Sequence, residues 1–433
     1  MQSSQPRKIG LLATTSMVVG NMVGSGIFLL PASIAAFGGI GILGWVFSSF
    51  GAILLALVFG HLSQYCGATI GGPYVYSRTG LGDFAGYLVA WGYWISIWAT
   101  NAAIAVAFVG YLSVFIPYLS DNPVAGMSVG LGVIWFFTWI NSRPITTVGA
   151  VQTITTILKV LPIVLIVCFG IFYIRWENFL PFNATGQNTW IVLTSVTTLT
   201  LFAFQGMESA GIISGDTQQA GGTVKKATIL GTLFTVLVYL TSTVAIMGIV
   251  PIETLTNSSA PFADAAEVFW GGAAKYIVAG CAVISTLGAL NGWLLLQGRI
   301  PMATAQDKLF PRVFAKENRN GSPIMGIVLS SILASGLMLL NFSKSLVGAY
   351  TFIILLSTLA TLIPYLFSAV SLSIISHQRN DPKTKSRLWL SLITFVFCIW
   401  IIIGCGQEVV FYGFVLLLSG IPFYMLLKRK EQS

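Results

Sequence analysis

Charge is what this sequence has least of. Asp, Glu, Lys and Arg make up 8% of its 433 residues, where a soluble domain carries about 25%. With 55% of the chain apolar and a mean hydropathy of +0.85, a soluble enzyme is excluded. So is a disordered chain, which needs the opposite composition. His61 and His377 are the two histidines, too few for a His-rich metal centre. Five cysteines are too few for a disulfide scaffold. Cys168, Cys281, Cys398 and Cys405 sit in apolar runs with no CxxC pair and no metal-ligand spacing. There is no GxxxxGK(S/T) phosphate loop, no HExxH, and no GxSxG with a histidine to serve it. Direct drive by a nucleotide is therefore not expected, nor is any cofactor or metal.

What the chain has instead is long apolar runs. A spanning helix needs about 20 apolar residues, because hydrocarbon offers an open backbone no hydrogen-bond partner. Twelve such runs start near Leu11, Gly41, Phe84, Val124, Ala150, Thr189, Lys226, Ala273, Ile324, Leu346, Leu388 and Val409. The expectation is an all-α polytopic membrane protein of twelve transmembrane helices, forming one integral-membrane domain over 1–433 with no room for a large soluble domain. A cleaved signal peptide is not expected, since more membrane segments follow the first run. Of the 22 lysines and arginines, eighteen fall in connections on the N-terminal side. Arg175 and Lys344 fall on the other side, and Lys159 and Lys275 within expected spans. The positive-inside rule then places both termini in the cytoplasm. The net charge of +9 is accounted for by basic loops facing anionic lipid, with no nucleic acid needed.

Spans one and six are interrupted by polar, glycine-rich sequence: Gly20-Asn21-Met22-Val23-Gly24-Ser25-Gly26 and Gln205-Gly206-Met207-Glu208-Ser209-Ala210-Gly211. Each glycine costs a helix about 1 kcal/mol against alanine, so such clusters invite unwinding. Close packing through small residues also fits Gly20-x-x-x-Gly24. Interrupted helices at corresponding places in two halves, however, point to a transporter's substrate site. Amides of Gly24, Ser25 and Gly26 at a half-helix N-terminus suit a carboxylate, and carbonyls freed near Phe202 to Gly206 suit an ammonium.

These residues resemble the amino acid–polyamine–organocation superfamily, within it the basic amino acid/polyamine antiporters and most closely the arginine/agmatine branch. The resemblance is carried by GNMVGSGIFLLPAS (20–33), GWVFSSFGA (44–52), Gly71-Gly72-Pro73-Tyr74-Val75-Tyr76, FQGMESA (204–210), STVAIMG (242–248), SAPFADAA (259–266) and LGALNGW (287–293). It covers nearly the whole chain. It implies a five-plus-five inverted repeat with broken helices one and six, repeat one over about 10–175 and repeat two over about 189–376. Two extra helices over about 388–427 often serve homodimer contacts. It further implies an amino acid or polyamine exchanger in the bacterial inner membrane, with proton coupling. By the same resemblance, Val23, Gly24, Ser25, Gly26 and Gly206 line the substrate site. Asn101, Phe202, Trp293 and Ser357 shape its side-chain pocket, and Tyr93, Glu208 and Tyr365 form an inner gate. Phe202 and Ile104 stand where the branch has tryptophan and methionine. Phenylalanine still stacks on a cation, though more weakly than tryptophan, so an elongated amino acid fits better than guanidinium specificity.

Two ionisable residues stand out. Glu208 lies deep in a span, where an ionised carboxylate costs several kcal/mol unless it is paired; it suits either a counter-charge to a substrate ammonium that also acts as a protonation switch, or a structural hydrogen bond closing the helix break. Lys159 lies about ten residues, roughly 15 Å, from the nearer end of span five, too deep to snorkel. It resembles the span-five lysine of neutral amino acid exchangers and proton-coupled carriers, which makes a neutral amino acid carrier the second reading. A non-transporting nutrient sensor is the third. Replacing Lys159 by alanine should leave exchange partly intact while net uptake falls further, because bound substrate still organises the break; the two modes compared in proteoliposomes test this.

Overall fold

The computed structural model describes residues 10–67, 69, 71–143, 163–212, 214, 217, 219–340 and 345–432. Its helices begin close to where the apolar runs begin. Span one comprises α1 (Leu11–Met22) and α2 (Ser25–Ala35). α3 (Gly41–Cys66), α4 (Pro73–Leu81), α5 (Asp83–Leu112) and α6 (Pro123–Asn141) follow. Span six comprises α7 (Thr189–Leu201) and α8 (Ser209–Ile212). Then come α9 (Ala220–Ile249), α10 (Pro261–Trp270), α11 (Gly272–Gln306), α12 (Ile324–Leu340) and α13 (Leu346–Gln378). The chain closes with α14 (Thr384–Gly404), α15 (Gln407–Leu418) and α16 (Gly420–Gln432).

Among the described residues, ten helical stretches are long and apolar enough to cross a membrane. The two other expected spans coincide with shorter apolar helices, Ile163–Tyr173 and α12. The expected start of the former, near Ala150, lies outside the described residues. Short helices between spans, among them α4, α10, Tyr118–Asp121 and Ile252–Thr256, give no signal in the apolar runs because none has the length of a crossing. α4 and α10 each carry a proline in the first turn, where the missing N–H is no loss.

α5 lies at the centre, packed against α11 and α13, while α9 packs on α3 and α1. Side-chain and backbone contacts sort the connections into two ends. At one end Tyr65 at the foot of α3 meets Asp381, Arg78 meets Asp307 at 2.8 Å, and Asn318 donates to the Ser142 carbonyl. At the other, the 38–40 turn bonds Pro181 and Phe182, Arg175 bonds Gly248, and Ser113 meets Ser259. The first end gathers Arg78, Arg143, Lys225, Lys308, Arg312, Lys316, Arg319, Arg379, Lys383, Lys385 and Arg387, and is the basic end of the molecule. The start of α9 at Ala220, six residues before the run read from the sequence, puts Lys225 and Lys226 inside a helix. Lys275, expected within a span, stands in the first turn of α11, 2.8 Å from Glu267 and 3.4 Å from Asp264.

Candidate functional site: two facing helix breaks

Both interruptions fall inside the glycine-rich runs. Helix is lost over Val23 and Gly24 in span one. In span six the chain tightens into a 3-10 turn over Phe202–Phe204, turns through Gln205 to Glu208, and resumes at Ser209. Gly206 has φ +102°, a conformation other residues rarely adopt, and a Cβ there would lie 3.0 Å from Asn21 Cβ. Gly26 backs onto Ala203 so closely that a Cβ would come within 2.9 Å of Ala203 Cβ. The two breaks are in contact.

Unwinding frees backbone groups that need partners. The Tyr239 hydroxyl, from α9, donates to the Met22 carbonyl at 2.6 Å and lies 3.1 Å from that of Ala203, bridging the breaks. Trp293 Nε1 donates to the Asn21 carbonyl at 3.3 Å. The Phe202, Phe204 and Gly206 carbonyls, expected to be free for an ammonium, already accept from the Gln205, Met207 and Ser209 amides. Each keeps only a second lone pair for a ligand. α2 is different. Its N-cap, Gly24, has no side chain to accept a hydrogen bond, and the first-turn amides, Ser25 and Gly26 among them, have no intrahelical acceptor. They also present the positive end of the helix dipole.

Between the breaks lies a cavity of about 10 Å³ bounded by Gly24, Gly26, Thr100, Ile104, Phe202, Gln205 and Trp293. That is about enough for one water, so the conformation is closed around the site. Asn101, expected at the pocket, is turned away from it: Nδ2 donates to Gln297 Oε1 at 2.7 Å. Its neighbour Thr100 faces the cavity, since successive helix positions differ by about 100°. Ser357 stands behind the wall, its hydroxyl 2.7 Å from Thr100 Oγ1 and 3.0 Å from Gln205 Oε1. Thr100, Gln205 and Tyr239 were not singled out from the sequence. Gln205 begins the second glycine-rich run and could have been; a tyrosine inside an apolar run gives no such signal.

Glu208 is wrapped by donors. Tyr93 donates to Oε1 at 2.7 Å, Tyr365 to Oε2 at 2.8 Å, and the Gly206 amide to Oε2 at 3.1 Å. The carboxylate thus braces the span-six break against α5 and α13 and does not border the cavity. Lys159 lies outside the described residues. Towards the basic end, α4 closes beneath span six, with the Tyr76 hydroxyl against Gly211. Arg78 is clamped by Asp83 and Asp307, both at 2.8 Å, and the Asp83 hydrogen bond holds its guanidinium above the usual range. At the opposite end a cavity of about 490 Å³ opens between α2, α13 and the α14–α15 turn, bordered by Ser33, Thr351 and Glu408.

Gly26→Val should abolish transport of every substrate alike, because a β-branched side chain forces Ala203 away and overpacking of this kind typically costs about 1–3 kcal/mol. Selective loss of one substrate in a transport panel would contradict it. Tyr365→Phe removes one donor from a buried carboxylate, worth about 1.5–3 kcal/mol, and should lower the thermal midpoint in detergent. Glu208→Gln should keep the fold but flatten any pH dependence of exchange; an unchanged profile would exclude Glu208 as its source.

The chain's sequence matches the amino acid permease family over residues 9–419. It is 33% identical to the putative arginine/ornithine antiporter of Bacillus subtilis (strain 168), with 99% of each chain aligned. It is 32% identical to the cadaverine/lysine antiporter of Escherichia coli (strain K12), over 99% of this chain and 97% of that protein. Identity to the putrescine transporter PotE of the same organism is 28%, over 99% and 98%. These relatives are transporters and not enzymes, and a closed cavity between two unwound helices is what a carrier needs. The chain belongs to the amino acid permease family.

Proposed function

We propose that this protein is a secondary exchanger of basic amino acids and their decarboxylated amines, working by alternating access. The observation that carries the reading is the pair of contacting breaks, closed over a cavity with uncapped amides on one wall and Phe202 and Trp293 on the others. An amino acid's carboxylate would sit at the N-terminus of α2, held by the Ser25 and Gly26 amides, with Val23, Gly24 and Gly206 setting the gap; the Gly24 amide, also expected to hold it, already donates to the Met22 carbonyl at 2.8 Å. Its side chain would run past Phe202 and Trp293 toward Thr100, Gln205 and Ser357. Aromatic faces attract a cation, and the Gln205 carbonyl is a neutral acceptor for one. Asn101 would act from behind this wall through Gln297 rather than by direct contact.

The relatives' named cargoes are all cations at neutral pH, which favours a cationic cargo here. So does the surface opposite the basic end, where Asp121, Glu177, Glu253, Asp264, Glu267 and Glu408 outnumber Arg175, Lys275 and Lys344. A negative surface raises the local concentration of cations. The same reading includes the twelve-span inverted repeat, an inner-membrane location with both termini cytoplasmic, and proton coupling through Tyr93, Glu208 and Tyr365. It also includes lipid or homodimer contacts by the last two spans. Lys159 favours the neutral amino acid reading, because a second buried cation near the site would repel a basic side chain.

Proteoliposomes preloaded with arginine, ornithine, lysine, cadaverine, putrescine or alanine and challenged with labelled arginine or lysine separate the two. Basic amino acids or diamines inside should stimulate uptake at least about tenfold over unloaded vesicles, a difference of about 1.4 kcal/mol in the transport barrier. Stimulation by alanine equal to that by lysine would establish the neutral carrier instead.

A further inference from the structure

Beside the basic end, away from the breaks, three helices bring together more positive charge than they neutralise. The outward face of α3 is an apolar stripe in which Val46 and Phe50 are exposed and Ile53 and Leu57 partly so. The three- and four-residue steps of that stripe lead on to His61 and Gln64. There the stripe is covered from both sides. Lys225 reaches in from α9, its Nζ 3.3 Å from His61 Nδ1 and 3.1 Å from Gln64 Oε1. Arg387 reaches in from α14, with Nη1 2.7 Å from His61 Nε2.

That arrangement is unbalanced by hydrogen bonding alone. A neutral imidazole has one N–H and one acceptor nitrogen, so it can accept from only one of the two cations. The other contact sets donor against donor. Charge is unbalanced as well: Lys383 lies within electrostatic range of Lys225, and the Arg379 guanidinium stands 5.9 Å over the Tyr65 ring. Among the described residues the one acid at hand is Asp381, 3.5 Å from Arg387 Nε and already bonded by the Tyr65 hydroxyl. Four cations therefore face a single carboxylate at the rim of a lipid-facing apolar stripe.

We infer that Lys225, His61 and Arg387 form a binding site for the phosphate of an anionic phospholipid, whose acyl chains run along the Leu57–Ile53–Phe50 stripe of α3 between α9 and α14. A phosphate between the cations turns the donor-to-donor contact into two donor-to-acceptor contacts, and N–H···O⁻ bonds of this kind are the strong ones. The occupant is a lipid because the apolar path from the cluster leads along a face that the described fold leaves uncovered. Basic pockets between spanning helices suit lipid head groups for the same reason.

The test titrates detergent-purified protein with phosphatidylglycerol and counts bound lipid by native mass spectrometry. Each cation near the surface contributes about fivefold to binding anionic lipid, so Lys225→Gln with Arg387→Gln should weaken binding by about 25-fold. Phosphatidylcholine binding should not change. Lys225→Arg with Arg387→Lys should restore binding, and Arg319→Gln with Lys385→Gln, at the same end but outside the cluster, should leave it unaltered. Wild-type affinity in the Gln pair overturns the site. Displacement of the lipid by inorganic phosphate at equal concentration makes it a soluble-anion site and overturns the lipid assignment. Should the Gln pair fold poorly, wild-type protein labelled with phosphatidylglycerol bearing a photoreactive acyl chain decides: label on Leu57, Ile53 or Phe50 supports the site, and label only elsewhere overturns it.

Discussion

A backbone amide or carbonyl released inside a membrane has no water to turn to, and an unmade hydrogen bond there costs several kcal/mol. That constraint organises the centre of this molecule. Two helices unwind against each other, and the groups they release are met one by one: Met22 by Tyr239, Asn21 by Trp293, the Gly206 amide by Glu208. Glu208 is in turn held by tyrosines from two further helices. The break in span six is thereby tied to α5 and α13, and the break in span one to α9 and α11. A conformational change at either break would have to exchange these partners.

Away from the breaks, polar side chains do the opposite work and fasten helices together. Asn101 on α5 bonds Gln297 on α11, whose amide donates to Ser331 on α12, and Ser331 meets Thr138 on α6 at 2.7 Å. Trp94 on α5 adds a bond to Ser330 at 2.6 Å. These four helices share a buried network with few alternative partners. The two breaks themselves also meet by close apolar approach, at Gly26 and Ala203. The network ties α5, α6, α11 and α12 into one unit beside the breaks.

The sequence was most legible where a single physical signal decided the outcome. Long apolar runs gave the spans because a membrane imposes length, and clustered glycines gave the breaks because helix propensity is local. Where a role depends on which way a side chain points, the reading failed or stopped short. The sequence points to Asn101 as a ligand contact, yet it is Thr100, one helical step away, that borders the cavity while Asn101 bonds Gln297. Tyr239 could not have been found, since its partners are 36 residues away in one case and 217 in the other. Glu208 was legible as important because charge is so scarce, but whether it met substrate or braced backbone depended on Tyr93 and Tyr365 reaching it from other helices. The cluster around His61 was invisible for the same reason: its members His61 and Arg387 are 326 positions apart.

The amides at the start of α2 have no side-chain cap and face the cavity between the breaks, and on the proposed reading they bear on why such a carrier exchanges. Burying two unpaired amides costs about 1–3 kcal/mol each. On the proposed reading a substrate carboxylate removes that penalty as the site closes, so closing with an amino acid aboard is favoured over closing without one by roughly thirtyfold or more. A diamine brings no carboxylate and offers the amides nothing. It must draw its closing energy from the other wall, from Phe202, Trp293 and the Gln205 carbonyl, with which a terminal ammonium can interact. Amino acid and amine would then be recognised by opposite faces of one cavity, which lets a single site release one while taking up the other without being tuned to either alone.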